Sequence, residues 1–205
     1  MENSICYIFG AGDKTTCTIT LKENDLIIAA DGGYDYACDL GQPVDVLIGD
    51  MDSIESSTPP ANRLVHPKEK DDTDMMLALK YGLEHGYTNF HIYGGLGGRL
   101  DHTLANIQSL SYLTTQQASG ILHGEDYQIT AIRDSSFSLP AKEHGTVSIF
   151  SLSDRCEGVT IHGLKYSLTD GSLTNSFPLG VSNEYTGEAA CITVRSGVLG
   201  ILYTV

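Results

Sequence analysis

The chain has 205 residues, of which 41% are hydrophobic and 19% charged, a composition that can bury a core and excludes a disordered polypeptide. Its 26 acidic and 12 basic residues give a formal net charge of −14, which repels a nucleic-acid backbone and excludes a general DNA- or RNA-binding role. No run approaches the roughly 18 apolar residues of a membrane span, and the first residues lack the basic and long apolar stretches of a signal peptide. A cytoplasmic location is therefore expected. The five cysteines, Cys6, Cys17, Cys38, Cys156 and Cys191, are odd in number and contain no C-x-x-C pair, which fits neither a zinc site nor a disulfide framework.

The first half alternates short apolar runs with helical patterns. Residues 5–9, 26–30, 44–48 and 90–93 have strand length, and the last three runs end in Gly or Asp. Met76, Leu79 and Leu83 recur at helical spacing, as do Leu100, Leu104, Ile107 and Leu110. Thr73 is placed to cap the first of these helices and Gly86 to stop it. Such alternation predicts a parallel sheet covered on both faces. After Gly124 the character changes. Residues 127–132, 146–152, 159–164, 190–194 and 198–203 read as strands separated by turns, without a helical pattern of useful length. The expected organisation is an α/β domain over 1–124 and an all-β domain over 125–205.

Chemistry is carried by where the acids fall. Asp31-Gly32-Gly33 follows the second apolar strand, and Gly49-Asp50-Met51-Asp52-Ser53 follows the third. Ligands of open α/β sheets bind beyond the carboxyl ends of the strands. If the chain stays extended there, alternation turns Asp50 and Asp52 the same way, and paired hard oxygens suit Mg²⁺. A plain turn rich in Asp and Gly explains either motif alone equally well. In Lys70-Asp71-Asp72-Thr73-Asp74 the acids also suit a helix start, where the dipole favours negative charge.

The segment Gly94-Gly95-Leu96-Gly97-Gly98-Arg99-Leu100-Asp101-His102 stands between a strand and a helix. Four glycines in five residues let the backbone approach a ligand and present N–H groups to oxyanions, and Arg99 offers a forked phosphate donor. The segment is neither a Walker A loop nor the G-x-G-x-x-G dinucleotide fingerprint.

These motifs, together with Gly180-Val181-Ser182-Asn183-Glu184, resemble in order and over nearly the whole chain those of the thiamine pyrophosphokinase family. The resemblance implies a Rossmann-like N-terminal α/β domain with a parallel sheet, an all-β C-terminal sandwich, and a homodimer with its active sites at the subunit interface. It implies transfer of a diphosphoryl group from ATP to thiamine with Mg²⁺. Asp50, Asp52 and Asp74 would hold the metal and, with Asp101, form the catalytic set. Asp31, Lys70, Thr73, Gly95, Gly97, Gly98 and Arg99 would face ATP. Ser182, Asn183 and Tyr185 would reach thiamine, Tyr185 standing where the family commonly has Phe and keeping a ring to pack on the substrate. Two other readings stay open at this point: a magnesium phosphohydrolase with Asp50 as nucleophile, and a non-catalytic nucleotide-binding module.

Overall fold

Apolar runs too short for helices become the inner strands of a parallel sheet in the computed structural model, which describes residues 4–16, 18–50, 62–65 and 71–205. The chain divides into two units, Met1–Ser109 with Gln116–Glu125, and Leu110–Thr115 with Asp126–Val205.

In the first unit the strands are β1 (Cys6–Phe9), β2 (Leu26–Ala30), β3 (Val46–Gly49), β4 (Arg63–Val65), β5 (Asn89–Tyr93) and β6 (Ser119–His123). They pair in parallel in the order β6-β5-β1-β2-β3-β4. All residues of β1 and β3 are buried, because both faces of a parallel sheet are covered and a continuous apolar run is what such strands require. From β1 the chain builds outward to β4, then returns to place β5 on the other side of β1. The crevice beyond the ends of β1 and β5 is the switch point where such sheets hold ligands.

Three helices accompany these strands: α1 (Gly33–Asp39), α2 (Asp74–Glu84) and α3 (Leu100–Thr115). The seven-residue α1 gave no sequence signal, since it opens on glycine without a side-chain cap. Gly33 is needed for close packing: a Cβ there would lie 1.9 Å from the Phe9 carbonyl oxygen of β1. As expected, Thr73 caps α2, its Oγ1 accepting from the Met76 N–H at 3.2 Å, and Gly86 follows the helix at φ +83°. The buried face of α2 is Met75, Ala78, Leu79 and Gly82, so the expected stripe of Met76, Leu79 and Leu83 is corrected in phase. A side chain at Gly82 would meet the Phe90 ring at 2.6 Å, which is why small residues turn inward here. The α3 stripe is corrected further. Leu100 and Leu104 are 71% and 56% exposed, whereas Asn106, Ser109, Leu110 and Leu113 are buried.

A column of rings stiffens the strand ends below the crevice. Phe9 stacks on Tyr93, Tyr93 on His123 at 4.2 Å between centroids, and His123 on His91. Nε2 of His123 and Nδ1 of His91 lie 3.0 Å apart. Burial lowers both imidazole pKa values, and the neighbouring His91 pushes His123 further, to about 3. The folded state thus keeps His123 neutral, while the unfolded chain takes up its proton below about pH 6.5. Stability falls with pH across the window from 6.5 to 3, by about 2 kcal/mol at pH 5 for His123. Urea unfolding at pH 7.5 and pH 5 should show this loss in the parent and a smaller one in His123→Phe, which retains a ring. Equal losses in both chains would refute the assignment.

The second unit contains β7 (Tyr127–Arg133), β8 (Ser136–Leu139), β9 (Thr146–Ser151), β10 (Arg155–His162), β11 (Leu168–Thr174), β12 (Asn183–Glu184), β13 (Ala190–Thr193) and β14 (Val198–Thr204). Its antiparallel pairings give two sets of neighbours, β12-β9-β14-β7 and β11-β10-β13-β8. Both contribute to one core, with Val147, Ile149 and Ile201 from the first and Val159, Ile161 and Ile192 from the second. Antiparallel strands joined by turns explain why this half reads as short strand-like runs without a helical pattern of useful length.

Candidate functional site

A cleft of about 240 Å³ opens in the first unit at the carboxyl ends of β1, β2 and β5. Its floor is two loops joined along their backbones. Gly10 N donates to Tyr93 O, Gly12 N to Gly94 O and Asp13 N to Leu96 O, each at 2.8 Å. A Cβ on Gly10 would stand 2.6 Å from Gly94 O, and one on Gly12 would stand 2.3 Å from Leu96 O, so this contact demands glycine. Sequence reasoning missed Gly10, Ala11 and Gly12 as lining residues. The available signal was a Gly-x-Gly directly after an apolar strand.

The glycine loop follows β5 and borders this cleft. Gly95 and Gly97 line the cleft, while Gly97 and Gly98 adopt φ of +74° and +58°. Such left-handed conformations are open to glycine and bring the backbone of the loop to the cleft without a side chain in the way. Asn106, another residue missed in the sequence, is buried and fixes the loop from α3, its Nδ2 donating to Gly95 O at 2.7 Å. Arg99 lines the cleft but is 71% exposed. Its fork grips Asp101, with Nη2 to Oδ2 at 2.6 Å and Nε to Oδ1 at 3.2 Å. Hydrogen bonding from Arg99 holds the Asp101 carboxyl below the usual carboxylate range. Asp101 is not among the cleft-lining residues.

Asp31, Thr73 and Asp74 face the same cleft. Asp31 adopts φ +50° directly after β2, and its N–H donates to Ile48 O of β3 at 2.8 Å. Asp74 is the first residue of α2, beyond the cap Thr73. Asp72, by contrast, pairs with Lys80 of the same helix at 2.6 Å. Asp50 follows β3, half-buried and outside the cleft lining. Asp52 and Lys70 lie outside the described residues. Among the described residues no group of three or more His, Cys, Asp or Glu side chains gathers closely enough to hold a metal. The donor set still suits a hard cation: Asp31 and Asp74 offer carboxylate oxygens, and among the described residues no thiol lines the cleft.

In the second unit, Ser182 is exposed at φ +61°, its N–H donating to Ser148 Oγ at 3.0 Å. Asn183 is buried and engages the backbone of Tyr166 through both ends of its carboxamide. Tyr185, expected to pack on thiamine, lies inside this unit. Its ring is 7% exposed and belongs to the unit's own core, because the Leu164–Tyr185 bridge turns it inward.

Residues 18–122 match the family model "Thiamin pyrophosphokinase, catalytic domain", and residues 134–199 match "Thiamin pyrophosphokinase, vitamin B1 binding domain". The chain belongs to the thiamin pyrophosphokinase family. It is 30% identical over 187 residues to the thiamine pyrophosphokinase of Bacillus subtilis (strain 168), covering 86% of each chain. It is 26% identical over 164 residues to thiamin pyrophosphokinase 1 of Caenorhabditis elegans, covering 75% of this chain and 68% of that one. The crystal structure of the Bacillus subtilis thiamine pyrophosphokinase superposes with a TM-score of 0.86 at 25% identity, covering 98% and 99% of the two chains. The solved structure of the Candida albicans thiamin pyrophosphokinase superposes with a TM-score of 0.79 at 15% identity over 98% and 90%, a likeness of fold. Asp31, Asp50, Asp74, Arg99 and Asp101 all fall within the match to the family's catalytic domain, whereas the Gly10–Gly12 loop precedes it.

Proposed function

We infer that this member of the thiamin pyrophosphokinase family transfers a diphosphoryl group from ATP to the hydroxyl of thiamine, giving thiamine diphosphate and AMP. The observation that carries the reading is the cleft itself. Its lining combines the carboxylates Asp31 and Asp74 with a glycine loop and Arg99, groups that suit a metal-bound phosphate chain. The position of β1 between β2 and β5 supports a Rossmann-like nucleotide fold, and the first domain (1–124) is assigned to ATP.

Transfer of this kind depends on positioning and charge neutralisation more than on a protein nucleophile. Gly95, Gly97 and Gly98 cradle the phosphates, Arg99 and Lys70 supply fixed positive charge, and Thr73 holds the start of α2 beside them. Asp50, Asp52 and Asp74 would hold Mg²⁺, which when bound absorbs the charge developing on the phosphates. Asp101 orients the attacking hydroxyl or takes its proton, a role that needs Arg99 to turn from it toward phosphate. Thiamine is assigned to the surface beside Ser182, with Asn183 and Tyr185 building that turn from beneath.

The second domain (125–205) is assigned to thiamine binding and dimerisation, and the working enzyme to a cytoplasmic homodimer with its sites at the subunit interface. Among the described residues no helix is long and apolar enough to cross a membrane. Incubation with ATP, Mg²⁺ and thiamine should release thiamine diphosphate and AMP in equal amounts. Formation of ADP or inorganic phosphate without AMP would overturn the reading.

A further inference from the structure

A trans peptide points the C=O of one residue and the N–H of the next in opposite directions, so holding a carbonyl also aims the amide that follows it. In the glycine loop four successive carbonyls are held, alternately from two sides, and none of the described peptides is cis. Gly94 O and Leu96 O accept from Gly12 N and Asp13 N of the loop after β1, each at 2.8 Å. Gly95 O accepts from Asn106 Nδ2 at 2.7 Å and Gly97 O from Thr103 Oγ1 at 3.1 Å, both on α3. The N–H groups of Gly95 and Gly97 are thereby turned away from the β1 loop, and those of Leu96 and Gly98 away from α3.

These four donors are unspent. Among the described residues no hydrogen bond is donated by the N–H of Gly95, Leu96, Gly97 or Gly98. Gly95 and Leu96 are buried, and a buried N–H without an acceptor is rare because it costs about as much as a lost hydrogen bond. With its carbonyls occupied, the loop can only donate. It suits phosphate oxygens and offers nothing to a cation.

Two of the four anchors are backbone amides, which almost any residue supplies. The other two depend on side-chain identity. Thr103 and Asn106 stand three residues apart and so share a face of α3, and Asn106 is 8% exposed and lines the cleft with Gly95 and Gly97. We propose that Asn106 and Thr103 are positioning residues that aim the glycine-loop amides at the phosphates of ATP, and that they govern the use of ATP but not of thiamine. This role rests on the diphosphoryl-transfer reading of the cleft.

The test compares the full-length protein with Asn106→Ala, Thr103→Val and Thr103→Ser by steady-state kinetics in both substrates and by thermal unfolding. Asn106→Ala should raise KM for ATP roughly 10- to 100-fold and Thr103→Val about three- to tenfold, with KM for thiamine within about twofold of the parent. Thr103→Val keeps the shape of the side chain and loses the hydroxyl. Thr103→Ser keeps the hydroxyl, so it should hold KM for ATP within about twofold of the parent. Parental KM for ATP in Thr103→Val, or the same rise in Thr103→Ser, overturns the role of Thr103, and parental KM for ATP in a folded Asn106→Ala overturns that of Asn106. An equal rise in KM for thiamine overturns both, because a general loosening of the cleft does not choose between substrates. If Asn106→Ala does not fold, the two Thr103 variants decide, since Thr103 is only partly buried. A parent chain that forms no AMP from ATP and thiamine overturns the functional reading itself, and this role with it.

Discussion

Asp74→Asn and, separately, Asp50→Asn should lower turnover by about two to three orders of magnitude while leaving the protein folded. Asp74 opens α2 and faces the cleft, and Asp50 stands directly after β3 on the sheet edge where ligands of this fold collect. Both are half-buried at element ends, not enclosed in a core. Replacing Asp74 forfeits a favourable helix-dipole interaction of about 0.3–1 kcal/mol, so a fall in unfolding temperature of no more than about 4 °C is expected. The loss of activity would come instead from one fewer charged oxygen ligand for the cation that neutralises the phosphates. It should be partly recovered at high Mg²⁺, since a weakened site can be filled by mass action. Near-parental turnover at limiting Mg²⁺ in either variant would remove that residue from the metal centre.

Gly97→Val should damage the glycine loop strongly. The position has φ +74°, and a Cβ there would lie 1.9 Å from Asp13 Oδ2 and 2.4 Å from Oδ1. A β-branched residue at positive φ costs on the order of 1–3 kcal/mol before any clash is counted. Because Asp13 N is bonded to Leu96 O, the two loops cannot separate without losing the floor of the cleft. We expect KM for ATP to rise more than about tenfold, with a fall in kcat, since misplacing the phosphates by even an ångström is expensive. Gly98→Ala is the control: at φ +58° the nearest atom to its new Cβ is Gly12 Cα at 3.9 Å, so only the backbone strain of about 1 kcal/mol applies. Removing the opposing carboxylate with Asp13→Ala should restore part of the activity of Gly97→Val. Parental ATP kinetics in Gly97→Val would show that this loop does not hold phosphate.

Much of this was written in the sequence because local physics requires it. The cores of β1, β2 and β3 are legible as unbroken apolar runs, since strands covered on both faces have no polar side to show. Thr73 and Gly86 mark the ends of α2 because unpaired N–H and C=O groups need a hydroxyl at one end and a left-handed turn at the other. The glycine loop is legible because no other residue permits so many close backbone approaches in succession.

What tertiary structure alone decided is which face of each element meets a neighbour. The phase of α2 follows from how near Gly82 and Ala78 can bring it to the sheet, and spacing among Met76, Leu79 and Leu83 carries no knowledge of that distance. The inner side of α3 is partly polar because Asn106 must bond the Gly95 carbonyl, and so Leu100 and Leu104 are left outside. Gly10 and Gly12 acquire their purpose only when β5 lies beside β1 and its glycine loop folds over them, a pairing of residues more than eighty positions apart. The sequence marks an aromatic residue beside Ser182 and Asn183. Only the tertiary packing, with its bridge from Leu164 to Tyr185, decides that Tyr185 joins the core of its unit while Tyr166 is left exposed, because the bridge pairs segments that local sequence does not link.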